Sequence, residues 1–336
     1  MQLEENNVKD ITRAVEAKSS MKKASVFFLL LMVFEIPVSI LIYLVQGMLP
    51  EEYSTLVSIL MTQGYLLFGA ILYMLITKTK PREDLQVKKY RISTFFLTLV
   101  ALITASPMAS WLNVVSQLFA KNTTSGAIYD ITQNVPMWLG VLIIGCLPGF
   151  VEETLYRGII YSAFKKRSVL TGIVVSALSF GLMHMNFNQV MYAIYLGVVF
   201  ALIVEATGSL VSTMILHMLF NAVNTAYVYI LPMLYKGLGK YYAEYESVDI
   251  EKAFEAVPET SQLVVMAVAM APLAIGGFVL TILLIKAIAR MNGRTITMAS
   301  ICGNKEEIKD MKPVNVCLIL GWIFCLIICI SNLFAA

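Results

Sequence analysis

Apolar residues run along this chain in long blocks rather than in the spacings of a soluble amphipathic fold. Nine blocks stand out, at roughly 24–48, 53–77, 92–119, 136–164, 168–184, 188–206, 209–232, 261–290 and 313–335. Most are long enough to cross the hydrocarbon core of a bilayer, which takes about 20 apolar residues in a helix. In lipid only helices and closed barrels satisfy their own backbone hydrogen bonds, and blocks of this length predict helices. The expected fold is therefore all-α, a polytopic transmembrane bundle of about eight or nine membrane helices.

The blocks divide the chain into a cytoplasmic tail (1–23), N-terminal transmembrane helices (24–119), a core that carries the polar motifs (136–232), an outer loop (233–260) and C-terminal transmembrane helices (261–336). The first block reads as a retained helix. It is too long for a signal-peptide core and has no small-residue cleavage site at its end. The tyrosines of the outer loop, Tyr241, Tyr242 and Tyr245, suit a membrane interface. Asn122-Thr123-Thr124 has the form of a glycosylation sequon, a triplet that arises often by chance and means nothing in a bacterial cell.

Composition agrees with a lipid solvent. Charged residues make up 14% of the chain, against about 25% in soluble domains. The net charge of +3 is too small to suggest nucleic acid as a partner. Membrane lipid and a membrane-associated peptide or protein are the expected partners. The five cysteines are odd in number, include no CxxC, and imply no disulfide framework.

Where the Lys and Arg residues fall sets the orientation. The N-terminal tail, the loop at 78–91, the loop at 165–167 and the loop at 286–312 are basic. The intervening loops near 50–52, 120–135 and 185–188 hold one Lys between them, and the loop at 233–260 is net acidic. The turn at 206–208 has no positive residue and is uninformative. This alternation suits nine spans, with the N-terminus cytoplasmic and the C-terminus outside, in an integral multi-pass protein of a bacterial plasma membrane.

Charge inside the blocks is the exception that needs explaining. Ionisable groups at membrane depth are costly unless paired, and they mark function by default. Glu35 lies two residues before Pro37, which frees a backbone carbonyl one turn back, and a structural role outweighs a place at the margin of a site. The segment Pro148-Gly149-Phe150-Val151-Glu152-Glu153-Thr154-Leu155-Tyr156-Arg157 holds two carboxylates and a guanidinium. Pro148 and Gly149 predict a bend or break just before the carboxylates. Four-residue spacing puts Glu153 and Arg157 on one helix face, while Glu152 points about 100° away. An ion pair that merely joins helices would leave that second carboxylate unexplained.

The only two histidines, His184 and His217, both fall in apolar blocks, and Asn221 shares a helix face with His217. At about 1.5 Å per residue, Glu152, His184 and His217 lie about 18, 24 and 12 Å from the inner ends of their spans, so they can meet near mid-membrane. The site is expected to open toward the cytoplasm or laterally. With no covalent nucleophile in a strained elbow, the set suits water activation. In one arrangement a glutamate base is aided by one histidine, with the other histidine and Asn221 donating to an oxyanion. In the other, His184, His217 and Glu152 hold zinc, leaving a position for water. The compact HExxH helix is missing, so the metal signal is the weaker of the two.

Three short motifs sharpen this. Glu152-Glu153-Thr154-Leu155-Tyr156-Arg157, Phe180-Gly181-Leu182-Met183-His184 and His217-Met218-Leu219-Phe220-Asn221 follow the order EExxxR, FxxxH, HxxxN. In this the chain resembles the CPBP group, also called the Abi family. That group joins type II CAAX prenyl endopeptidases with bacterial relatives linked to bacteriocin processing and immunity. The resemblance covers about 136–232. It implies an intramembrane endopeptidase in which Glu152 activates water, His184 assists, His217 and Asn221 form the oxyanion hole, and Glu153 and Arg157 hold the site together or share the acid/base work. It leaves open whether a metal is used. It also leaves two rivals, a non-catalytic scaffold or immunity protein that keeps the site, and a transporter that relays protons through it.

Overall fold

The computed structural model describes residues 2–122, 124–239, 258–303 and 312–335. The tyrosine cluster at 241–245 lies outside them, as do Lys305 and Lys309. Among the described residues the chain is helical without strands, and eight helices are long and apolar enough to cross a membrane. It is an integral multi-pass membrane protein. We number the principal helices α1 (Gln2–Gln46), α2 (Ser54–Thr77), α3 (Ile92–Gln117), α4 (Thr124–Asn134), α5 (Met137–Phe164), α6 (Val169–Leu182), α7 (Phe187–Thr207), α8 (Leu210–Gly239), α9 (Thr260–Met291) and α10 (Val316–Ala335).

Helix α4 is short and lies outside the expected spans. Helix α6 is the ninth span, and it is short. Its 14 residues reach about 21 Å, less than the roughly 30 Å hydrocarbon core. Ser168 starts it by accepting a hydrogen bond from the Thr171 amide. It stops at Met183, and Met185 follows with a left-handed backbone (φ 48°), a conformation unusual for a side chain of this size. His184 therefore sits at the end of a helix that terminates inside the bundle.

Helix α5 is continuous through Pro148 and Gly149, where a bend or break was expected. The chain meets the proline differently, by widening into π-helical turns at Val141–Cys146 and again at Thr154–Tyr161. Such turns concentrate at functional sites, and here they bracket Glu152 and Glu153. Buried α5 packs against α8 through Gly145 and Gly149, which are four residues apart. A Cβ on Gly149 would stand 2.6 Å from the Met218 amide nitrogen, and one on Gly145 would stand 2.9 Å from Ala222 Cα. Small residues at this spacing let two membrane helices approach backbone to backbone. The approach brings His217, the neighbour of Met218, beside the carboxylates of α5.

The basic loops gather at one end of the bundle. Lys166 Nζ donates to Ser20 Oγ at 2.8 Å. The turn at 206–208, which carries no charge signal of its own, lies at this end too. Leu210 N donates to Gln86 O at 2.9 Å, Ser209 Oγ donates to Lys88 O, and Arg294 Nη1 donates to Glu205 O at 3.0 Å. Glu205 also accepts from Tyr161 Oη at 2.6 Å and pairs with Lys165 at 3.5 Å. At the opposite end Gln189 Nε2 donates to Thr124 Oγ1 at 2.8 Å, and Asn332 Nδ2 donates to Met185 O at 3.0 Å.

Candidate active site

Arg157 is the largest fully buried side chain, with no exposed surface. Its Nη1 donates to Glu153 Oε1 at 2.8 Å along the i,i+4 face of α5. Nε and Nη2 have no hydrogen-bond acceptor. Their compensation is aromatic. The guanidinium carbon lies 4.2 Å from the Phe180 ring centroid and 5.4 Å from that of Phe200, within range of a cation–π attraction that strengthens when desolvated.

His217 meets the same carboxylate from α8. Its Nδ1 is 3.0 Å from Glu153 Oε1, and its Nε2 is 3.8 Å from Glu152 Oε2. Glu153 thus joins Arg157 to His217, while Glu152 stands on the other side of the ring. With Arg157 holding Glu153 ionised, the Nδ1 contact places a proton on that nitrogen. Nε2 is left facing Glu152, either bare or, in imidazolium, as a second donor.

Glu152 turns toward a cavity of about 420 Å³. His184, His217 and Asn221 line it with Glu152, so the four groups from three sequence motifs reach one space. Glu153 and Arg157 lie behind that wall. Phe180 organises the histidines. Its ring packs edge-on against His184 (centroids 5.2 Å apart, 69°) and His217 (5.6 Å, 87°) and tilts against Tyr156 (5.4 Å). Glu35 is half-buried on α1 and is not among the lining residues.

One polar partner comes from outside the motifs. Gln63 of α2 is buried, and its Nε2 donates to Glu152 Oε1 at 3.4 Å. The sequence carries a faint trace of it, since Gln63 is an uncharged amide within an apolar block, but nothing in that block's pattern ties it to α5.

The zinc arrangement is not supported by the donor geometry. Glu152 and His217 Nε2 are close enough to be two ligands of one ion, but His184 does not complete a set. Among the described residues no three His, Cys, Asp or Glu side chains converge as metal ligands. His184 packs edge-on against the Phe180 ring just past the end of α6. All five cysteines are free thiols.

Residues 132–223, which contain all three motifs, match the family model described as type II CAAX prenyl endopeptidase Rce1-like. The resemblance to that family is borne out over this segment, and it points to a membrane peptidase. No curated protein and no solved structure matches the chain.

Proposed function

We propose that the protein is an intramembrane endopeptidase that hydrolyses a peptide bond of a membrane-associated substrate by glutamate-activated water. The observation that carries this reading is the pair Glu152 Oε2 and His217 Nε2, 3.8 Å apart at the wall of one cavity, with Glu153 fixing the far side of the imidazole.

The four charges balance. Arg157 and Glu153 neutralise each other, and one proton is held between Glu152 and His217. A water in the cavity adds through its oxygen to the scissile carbonyl carbon, and Glu152 accepts the water's proton. The carbonyl oxygen becomes an oxyanion that receives hydrogen bonds from His217 Nε2–H and Asn221 Nδ2. Glu152 then passes its proton to the amide nitrogen as the C–N bond breaks, giving a carboxylic acid and an amine. Glu153 holds the imidazolium in place, as a carboxylate behind a catalytic histidine does elsewhere. Half-buried His184, which lines the same cavity, orders the water or the carbonyl.

The test is hydrolysis of a lipid-anchored peptide by the full chain reconstituted in liposomes, compared with Glu152→Gln. The amide keeps the shape and cannot take the proton, so the rate falls by about 10²–10⁴-fold. Equal hydrolysis by the variant rejects Glu152 as the base. No hydrolysis by either, with both folded, favours a scaffold role.

A further inference from the structure

We propose that the C-terminal helix α10, which lies outside the family-matched residues 132–223, sets the pose of His184, with Trp322 and Asn332 as positioning residues. This rests on the peptidase reading above for what His184 does to a substrate. That α10 holds the end of α6 rests on geometry alone.

The turn that carries His184 is short and strained. Helix α6 ends at Leu182, and the chain then closes on three-residue turns. His184 N donates to Gly181 O at 3.4 Å, and Met185 N donates to Leu182 O at 3.0 Å. Met185 takes its left-handed backbone (φ 48°), and Asn186 is already the N-cap of α7. A residue of this size holds such a conformation where its surroundings over-determine it, and such positions gather at functional sites.

The surroundings act from two sides. At about 100° per residue, Ser179, Phe180 and Gly181 face three directions, and His184 falls within about 40° of Phe180. On the Gly181 side α7 comes so close that an added Cβ would stand 2.4 Å from Ile194 Cγ1 and 3.0 Å from Val190 O. On the Ser179 side stands α10. Trp322 Nε1 donates to Ser179 Oγ at 2.9 Å, and Asn332 Nδ2 donates to Met185 O at 3.0 Å. One bond grips the residue before Phe180 and the other grips the residue after His184. The end of α6 is therefore held between α7 and α10, and its Phe180–His184 face is left toward His217 and the cavity.

The pattern of α10 fits this task. Leu318, Gly321, Trp322, Cys325, Cys329 and Asn332 fall within an arc of about 100°. Leu318, Cys325 and Cys329 are buried, and a Cβ on Gly321 would stand 2.8 Å from Phe28 Cδ1 of α1. The other face, with Ile319, Ile323, Ile327 and Ile330, is apolar and exposed, as a lipid-facing surface is. A helix that only filled space beside α1 would need no indole N–H or amide on its inner arc. Polar groups without partners are costly in hydrocarbon, and here both find their acceptors at the end of α6.

Four substitutions in the full chain test the proposal. Asn332→Asp keeps the shape of the side chain and removes its N–H donor. Trp322→Phe keeps an aromatic ring and removes the indole N–H. Asn332→Gln keeps the donor, and exposed Ser331→Ala is the control. The chain has two histidines, so isotope-labelled histidine gives two imidazole NMR signals, assigned with His184→Ala. In Asn332→Asp and in Trp322→Phe the His184 signal should shift or broaden while the His217 signal stays. In the same variants kcat on a lipid-anchored peptide should fall by about tenfold with KM unchanged, because a misplaced group costs rate and not ground-state binding. Asn332→Gln should recover part of both, and Ser331→Ala should match wild type. If Asn332→Asp does not fold, Trp322→Phe decides by the same two readouts. A His184 signal that stays in place overturns the proposal and leaves the peptidase reading standing. A displaced signal with full kcat overturns it too, since the pose would then not matter to the reaction. A displaced signal in a chain whose wild type hydrolyses nothing removes the peptidase reading and leaves α10 as the helix that poses His184.

Discussion

His217 and Arg157 share one oxygen of Glu153, His217 Nδ1 at 3.0 Å and Arg157 Nη1 at 2.8 Å. The sharing assigns unequal roles to two adjacent carboxylates. Glu153 is engaged through Oε1 by both groups and sits behind the wall of the cavity with no exposed surface, whereas Glu152 reaches the cavity, with Gln63 Nε2 at 3.4 Å and His217 Nε2 at 3.8 Å. Of the two, Glu152 is the one placed to take a proton from a water in the cavity.

The role assigned to His217 leads to a first prediction. His217→Ala leaves the Glu153–Arg157 pair in place, so the fold should persist. The oxyanion loses one donor, and kcat should fall by about 10²–10³-fold. KM should change little, because the lost contact forms in the transition state. Added imidazole should restore part of the rate by occupying the vacated space beside the cavity. Peptide hydrolysis with and without imidazole checks this, and failure of rescue with an intact fold removes the donor role.

A second prediction concerns stability. Arg157→Ala leaves Glu153 buried with His217 as its one ionic partner and should cost about 3–5 kcal/mol. Replacing both partners at once, Glu153→Leu with Arg157→Met, should recover most of that stability, because the desolvation cost disappears with the charges. Hydrolysis should not return, since the imidazole has lost the carboxylate that orients it. Thermal unfolding in detergent, read beside activity, separates the two effects.

Much of this was legible in the sequence, and for physical reasons. Lipid forces helices, so the apolar blocks correspond to α1–α3 and α5–α10, with most boundaries off by a few residues and α1 running back through the expected tail to Gln2. Helical periodicity alone put Glu153 and Arg157 on one face and turned Glu152 away. Three things were not legible. Gln63 lies 89 positions from Glu152, and only packing of α2 against α5 joins them. A bend or break was expected at Pro148 and Gly149, yet the helix runs on with π-helical turns on either side, and hydrophobicity does not encode that choice. The third is which end of the cavity admits a substrate, because rise per residue gives depth along each helix and says nothing about access.

The α5–α8 contact gives a third prediction. Gly149→Ala puts a methyl group 2.6 Å from the Met218 amide nitrogen, and backbone cannot yield as a flexible side-chain tip does. The helices must separate next to His217. We expect a loss of stability of about 1–3 kcal/mol and a larger proportional loss of hydrolysis. Gly64→Ala is the control. Its added methyl meets nothing within 4 Å, so stability should hold or rise slightly, because alanine is the better helix former. Equal behaviour of the two variants would show that the approach at Gly149 does not hold the site together.

Gln63 provides the sharpest separation of positioning from structure. Its Nε2 donates to Glu152 Oε1 at 3.4 Å, and its own Oε1 has no hydrogen-bond partner. Gln63→Leu is close in volume and removes both the bond and the buried unsatisfied carbonyl. Replacing a half-satisfied polar group by an apolar one of similar shape is close to neutral for stability, so thermal unfolding should barely move. Glu152 loses the contact that fixes its rotamer relative to the water, and misplacement of a reacting group lowers kcat without weakening ground-state binding. We expect kcat to fall by about tenfold, equivalent to about 1.4 kcal/mol, with KM unchanged. Gln63→Glu should be worse than Gln63→Leu, because a second carboxylate would face Glu152 with no cation to share. If the leucine variant turns over like wild type, Glu152 is positioned by α5 and His217 alone, and α2 contributes to the fold but not to the chemistry.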